Sequence, residues 1–153
     1  MINFDLSQVI KKENIFFDVD ASDAQDLIGK VARKLAEHED ISNTDRLIDD
    51  AITREAELPT SLDNGIAMPH ARCSAVDKLI CAFVRPRNPL DFKSPDGNLT
   101  DIIFFSAIPA NCVDEYLHLT ARLVRKLNSS STVEKLRASQ TPEEVLDILG
   151  VLS

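Results

Sequence analysis

The sequence predicts an α/β fold: a single-domain sandwich over residues 1–153, with a central mixed β-sheet flanked by helices. Three observations carry that expectation. Capped helical periodicity occupies both ends of the chain, apolar strand-like runs lie between them, and the links are short. With 153 residues and 44% hydrophobic content, the chain is long enough to bury a sizeable core.

The first helix is expected from Ser22, where Ser-Asp-Ala-Gln forms a capping box and Ala24, Leu27, Ile28, Val31 and Leu35 follow at helical spacing. A second should run from about Asn43 to Glu57, with Leu47, Ile48, Ala51 and Ile52 as its apolar stripe. Leu58-Pro59 ends it, because the residue before proline is pushed out of the helical region. Gly65 to Met68 reads as a short extended piece and residues 79–84 as a strong strand. Residues 90–92, the Ser94–Gly97 turn and residues 101–108 read as strand, turn, strand. A long helix opens at Asn111 or Cys112 and runs to about Leu127, with Leu117, Ala121, Val124 and Leu127 on one face. Capping boxes at residues 131–134 and 141–144 open two more helices. Pro142 stands at the favoured first position of the last one, and Gly150 serves as its stop.

Composition narrows the function. Seventeen basic against 25 acidic residues give a net charge of −8. That argues against a nucleic-acid partner and against docking on anionic membranes, and suits a basic protein partner. No apolar run approaches the roughly 18 residues of a membrane span. The opening stretch MINFDLSQVIKKEN lacks the basic start and apolar segment of a signal peptide. Three cysteines, Cys73, Cys81 and Cys112, then read as free thiols in a cytoplasmic protein.

His70 stands straight after a proline at the end of an apolar run. Pro69 fixes its own φ and biases Met68 to an extended conformation, so His70 should be held stiffly at a strand end. A neutral imidazole there is a competent nucleophile, since its unperturbed pKa is about 6.5. Spacing alone favours the plainer alternative, a half-buried histidine that hydrogen-bonds locally. Arg54, near the end of the second helix, reads either as a solvated partner of Glu55 or Glu57 or as a bidentate grip on an anion. His118 shares a polar helix face with Asp114, Glu115 and Arg122, and either is solvated or meets His70 across a cleft. His38 reads as a solvated helix end. A zinc site assembled from His70, Cys73, Cys81, Cys112 and His118 has no CxxC or HxxxH spacing behind it. There is no glycine-rich phosphate loop; Gly65 is the only glycine between Gly29 and Gly97.

Together, Arg54-Glu55, Thr60 and Asn64-Gly65-Ile66-Ala67-Met68-Pro69-His70 resemble the active-site segment of enzyme IIA of the bacterial phosphotransferase system. The likeness is to its fructose–mannitol type and to the nitrogen-regulatory subgroup. It continues through residues 90–110, the helix around His118 and the C-terminal helices, nearly the whole chain. The resemblance implies a phosphoryl carrier that takes phosphate on His70 from an HPr-like phosphocarrier protein. It then passes the group to a IIB domain or uses it as a regulatory mark on protein targets. It implies His118 as second active-site histidine, Arg54 as phosphate stabiliser, Thr60 and Asn64 as loop contacts, and no metal or cofactor. With no IIB, IIC or carrier segment in the sequence, the regulatory role is the leading expectation; a sugar-specific component and a binding module with weakened phosphorylation are the alternatives. The departure from the family lies at Ser61 and Asp63, where the family often has glycines. Their loss should restrict the positive-φ conformations open to the loop.

Overall fold

The centre of the sheet is built from the two most apolar runs. β5 (Ile80–Pro86) and β6 (Ile102–Ile108) pair antiparallel, with Ala82 opposite Phe105 and Phe83 opposite Phe104. Both strands are covered on both faces, so they read as continuous apolar stretches rather than alternating ones. Ile80, Ala82, Val84, Ile103, Phe105 and Ala107 point into one core; Cys81, Phe83, Ile102, Phe104 and Ile108 point into the other. The computed structural model describes residues 5–151. Residues 1–4, which belong to the stretch read for a signal peptide, lie outside them.

Around this pair the sheet is mixed, as expected. β1 (Ile15–Val19) runs parallel to β5 at one edge. β2 (Ser61–Leu62) and β3 (Ile66–Ala67) form a small antiparallel pair, and β3 lies parallel to β6. β4 (His70–Arg72) follows along the same side of β6, with His70 opposite Ser106. β1 has no counterpart in the sequence reading. It is short, leaves Phe16 and Phe17 only partly buried, and is broken by Asp18 at φ 55° where the register with β5 slips. A bulge of that kind blurs the period-two signal. Conversely, residues 90–92 do not form the expected strand. Leu90 and Thr100 make a lone antiparallel bridge, and Lys93 at φ 55° turns the chain out of an extended path. The turn itself is present: the Gly97 N–H donates to the Ser94 carbonyl at 3.0 Å.

α1 (Ala24–Ala36) and α2 (Thr44–Glu57) cover one face; α3 (Val113–Leu127), α4 (Ser130–Ala138) and α5 (Pro142–Ile148) cover the other. Two caps sit off their expected residues. Asp23, not Ser22, caps α1 by accepting from the Asp26 N–H at 2.8 Å, while the Asp26 carboxylate reaches back to the Ser22 N–H at 2.9 Å. Ser129, not Ser131, caps α4 by accepting from the Thr132 N–H at 3.3 Å. Both are runs of capping-competent residues, where composition does not single one out. Thr141 caps α5 as expected, accepting from Glu144.

The larger correction concerns α3. Leu119, Leu123 and Leu127 are its buried residues, whereas Leu117 is 59% exposed and Val124 37% exposed. α3 is apolar around much of its circumference, so two stripes compete at helical spacing. Only Leu127 of the expected stripe faces the core. His38 is exposed just past the end of α1, as expected, and its Nε2 is in addition hydrogen-bonded to the Oδ1 of Asn14, which is fully buried. Asn14 in turn donates to Glu39 at 3.2 Å, and Lys11 closes the group with a 3.0 Å ion pair to Glu39.

Candidate functional site

The strand interruption at Met68-Pro69 creates the site. β3 and β4 both pair with β6, and between them Pro69 offers no N–H to the sheet. Its carbonyl accepts from the Ser106 N–H at 3.1 Å, so the chain rejoins β6 at once. His70 is therefore the first residue of a new strand rather than the last of an old one, clamped on both sides by backbone pairing. Its Nδ1 lies 3.2 Å from the Met68 carbonyl. A carbonyl only accepts, so Nδ1 carries the proton and Nε2 keeps the lone pair. Burial lowers the pKa of His70 below 6.5; the Met68 carbonyl opposes this, the Arg54 charge adds to it, and Glu55 opposes it. At neutral pH the ring is uncharged.

The end of α2 brings Arg54 and Glu55 to this strand. Leu58 turns extended at φ −154°, its N–H still donating to the Arg54 carbonyl, and Arg54 Nη1 donates to the Leu58 carbonyl at 3.1 Å. Arg54 thus ties off its own helix while its charge acts on both His70 and Tyr116. Glu55 is no partner of a solvated ion pair: its two carboxylate oxygens accept from the Thr60 N–H at 3.0 Å and the Thr60 hydroxyl at 2.6 Å. Thr60 in turn accepts from the Met68 N–H at 3.2 Å. The chain Glu55–Thr60–Met68–His70 couples the helix end to the histidine.

The loop between β2 and β3 resolves the question raised by Ser61 and Asp63. Neither adopts positive φ. That conformation falls to Asn64 (φ 68°) and Gly65 (φ 77°), a pair suited to it. Ser61 is buried in β2 opposite Ala67, and Asp63 is exposed. Asn64 is pinned through its backbone: its N–H donates to Asp96 at 3.1 Å, and its carbonyl accepts from Arg137. Arg137 also holds Asp101 at 2.8 Å. Asp96, accepting from Ser94, Asn98 and Asn64, is held down to about pKa 2.

On the opposite side of His70 stands α3. The side chain it presents is Tyr116, whose ring centroid is 5.2 Å from that of His70 at a 35° tilt. His118 is exposed, and at about 100° per residue it lies about 200° around the helix from Tyr116. Arg54 acts on the His70 ring through its charge, Tyr116 packs against it, Thr60 reaches it through the Met68 backbone, and Asn64 is held in the turn before β3. The residues that sequence reasoning missed here are Tyr116, Glu55 as a clamp, and Arg137. Tyr116 carried one signal, as the only tyrosine in the chain. The scattered zinc set does not assemble: Cys73 and Cys81 point into cores on opposite faces of the sheet. Among the described residues no group of three or more His, Cys, Asp or Glu side chains is arranged to hold a metal ion.

The model of one protein family, "Phosphoenolpyruvate-dependent sugar phosphotransferase system, EIIA 2", matches residues 8–150. The chain belongs to this EIIA family. Among curated relatives, a nitrogen regulatory protein homolog from Haemophilus influenzae is 28% identical over 149 residues, 95% of this chain and 91% of its own. A fructose-specific EIIA component from Haloferax volcanii is 30% identical over 110 residues, 72% of this chain and 71% of its own. Among solved structures, the nitrogen regulatory protein IIA-Ntr from Neisseria meningitidis superposes with a TM-score of 0.86. It is 28% identical, with 94% of this chain and 98% of that one covered. The mannitol IIA of Escherichia coli, solved in complex with phosphorylated IIB, shares the fold at a TM-score of 0.78 and 22% identity, over 93% of this chain and 99% of that one. As an EIIA protein the chain falls in a phosphotransferase class of phosphoryl carriers. No helix among the described residues is long and apolar enough to cross a membrane.

Proposed function

We propose that this EIIA protein carries its phosphoryl group on Nε2 of His70, accepted from an HPr-like phosphocarrier, in a nitrogen-type regulatory role. The observation that carries the reading is the Nδ1 contact with the Met68 carbonyl, which leaves Nε2 as the nucleophile of a neutral ring. In the transfer the Nε2 lone pair forms a new N–P bond as the donor's N–P bond breaks. The electron pair of the broken bond returns to the donor imidazole, so no separate general base is needed. Such a transfer demands placement and charge stabilisation above all. Pro69 and the β4 pairing supply placement, and Arg54 offers positive charge to the phosphoryl oxygens. Thr60, whose hydroxyl is committed to Glu55, and Asn64, pinned through its backbone, serve as loop framework.

The regulatory role is favoured by the likeness to IIA-Ntr and to the nitrogen regulatory relative across nearly the whole chain. The likeness to the fructose-specific EIIA component from Haloferax volcanii favours a second reading, donation to a IIB domain. Incubation with phosphoenolpyruvate, enzyme I and HPr should give an acid-labile, base-stable phosphate on the wild type and none on His70→Ala. An unlabelled wild type, or a fully labelled His70→Ala, overturns the proposal. Transfer onward to a fructose or mannitol IIB domain would favour the sugar-specific reading over the regulatory one.

A further inference from the structure

Glu55 is half-buried in the last turn of α2. A carboxylate there faces the negative end of the helix dipole, so the helix itself gains nothing from it. Its two oxygens instead reach beyond the helix, to the Thr60 N–H at 3.0 Å and the Thr60 hydroxyl at 2.6 Å. Pro59 has no N–H, so Thr60 carries the first backbone donor after Leu58. This grip sits at the base of the β2–β3 hairpin. The Thr60 carbonyl accepts from the Met68 N–H at 3.2 Å, one rung beyond the Ser61–Ala67 pair. The Met68 carbonyl then accepts from Nδ1 of His70 at 3.2 Å, and the Pro69 carbonyl is fixed to the Ser106 N–H. The hydrogen bonds form one path from a carboxylate to the imidazole, through Thr60 and Met68. Through space the same carboxylate opposes its neighbour on α2: Arg54 lowers the pKa of His70 and Glu55 raises it. From the other side α3 packs the Tyr116 ring on the imidazole and carries His118.

We propose that Glu55 is a positioning residue for phosphoryl transfer, gripping Thr60 so that Met68 holds Nδ1 of His70 and leaves Nε2 turned to the donor. The inference rests on His70 being the acceptor. Glu55 acts through Thr60 and Met68 and exchanges no proton in the step; the bonds made and broken are the two N–P bonds. The N–H and the hydroxyl of one threonine ask for two accepting oxygens at once. A carboxylate has both, whereas an amide of the same shape has one and a pair of donors. Charge and grip leave opposite marks on the ring. Removing the charge alone lowers the pKa of His70, because Glu55 raises it. Mere loosening admits water and relieves burial, the first cause of the depression, and so moves the pKa back up toward 6.5.

The test is transfer from phosphorylated HPr, followed by rapid quench over a range of donor concentration and pH. It compares wild type, Glu55→Gln, Glu55→Asp and Thr60→Val. The His70 ring is titrated in parallel by NMR, which separates its signals from those of His38 and His118. Glu55→Gln should slow the maximal rate by about 10- to 100-fold, the loss expected for a hydrogen bond to a charged group. The donor concentration at half-maximal rate should stay within about twofold, and the His70 pKa should move down. Glu55→Asp keeps the charge and should recover part of the rate. Thr60→Val keeps the N–H and loses only the hydroxyl, so it serves even where Glu55→Gln fails to fold; it should slow transfer by about 3- to 10-fold. A wild-type maximal rate in Glu55→Gln or in Thr60→Val, or a His70 pKa that rises in Glu55→Gln, overturns this inference while leaving the His70 reading intact. A wild type that takes no label sinks both.

Discussion

The surroundings of His70 favour the neutral ring over the charged one. Burial is the first cause of its lowered pKa, and Arg54 pushes the same way against Met68 and Glu55. The folded-state pKa therefore lies below the unfolded value of 6.5, and the folded protein prefers the neutral ring. Phosphoryl acceptance should be complete at neutral pH and fall as pH drops through a value below 6.5. Stability should decline over the same window, because the unfolded chain takes up the proton first. Arg54→Ala removes one of the lowering influences. It should move the acid limb to higher pH as well as slow transfer, and an NMR titration of the His70 ring checks the shift independently of the rate. Gly65 is the other residue with a single permissible identity. A Cβ there would meet Asp101 Oδ1 at 2.8 Å and Arg137 Nη2 at 2.9 Å, at φ 77°. Gly65→Ala should cost about 1–3 kcal/mol in denaturant unfolding, from backbone strain together with a disturbed Arg137–Asp101 pair.

At the scale of elements, α3 decides which side chains reach the site. Its rotation is set by Leu119, Leu123 and Leu127 packing against the Phe83 and Phe104 side of the sheet. The rotation that buries those leucines also delivers Tyr116 to His70 and leaves Leu117 in water. Leu123→Ala should destabilise the protein by about 2–5 kcal/mol, while Leu117→Ala should stay within about 0.5 kcal/mol. Thermal or denaturant melts of the two variants distinguish the seams directly, and a reversed order would contradict the α3 orientation. The β2–β3 hairpin works differently, held from outside by Asp96 and Arg137 on the two backbone groups of Asn64. The positive φ of this turn falls on Asn64 and Gly65, so it does not require glycine at Ser61 or Asp63.

For the whole molecule, the sheet separates two cores, with α1 and α2 on one side and α3 to α5 on the other. The cysteines report on that division. Cys81 is fully buried in the second core, and burial pushes its thiol up to about 12; Cys73 is buried in the first. Cys112 is partly exposed, at the start of α3. Under native conditions a thiol reagent should therefore modify Cys112 first, and Cys81 only on unfolding. Mass mapping of the modified peptides after short exposure is the check; early labelling of Cys81 would mean that the second core opens locally.

The sequence by itself determined the fold class, the two central strands, the cap at Thr141 and the motif from Arg54 to His70. These rest on local patterns: continuous apolar runs, a proline with a fixed φ, and a threonine and proline at a helix start. It also supplied the family, because the motif residues recur in order along the chain. The tertiary structure alone decided which face of α3 turns inward, and so that Tyr116 meets His70. Two apolar stripes on one helix are nearly equivalent until a sheet selects between them. Likewise β1 is a bulged edge strand that exists by pairing with β5, and Ser61 and Asp63 are accommodated because other residues, distant in sequence, hold the turn. Partners far along the chain leave no local pattern to read, so which ring packs against His70 was a question only packing could answer.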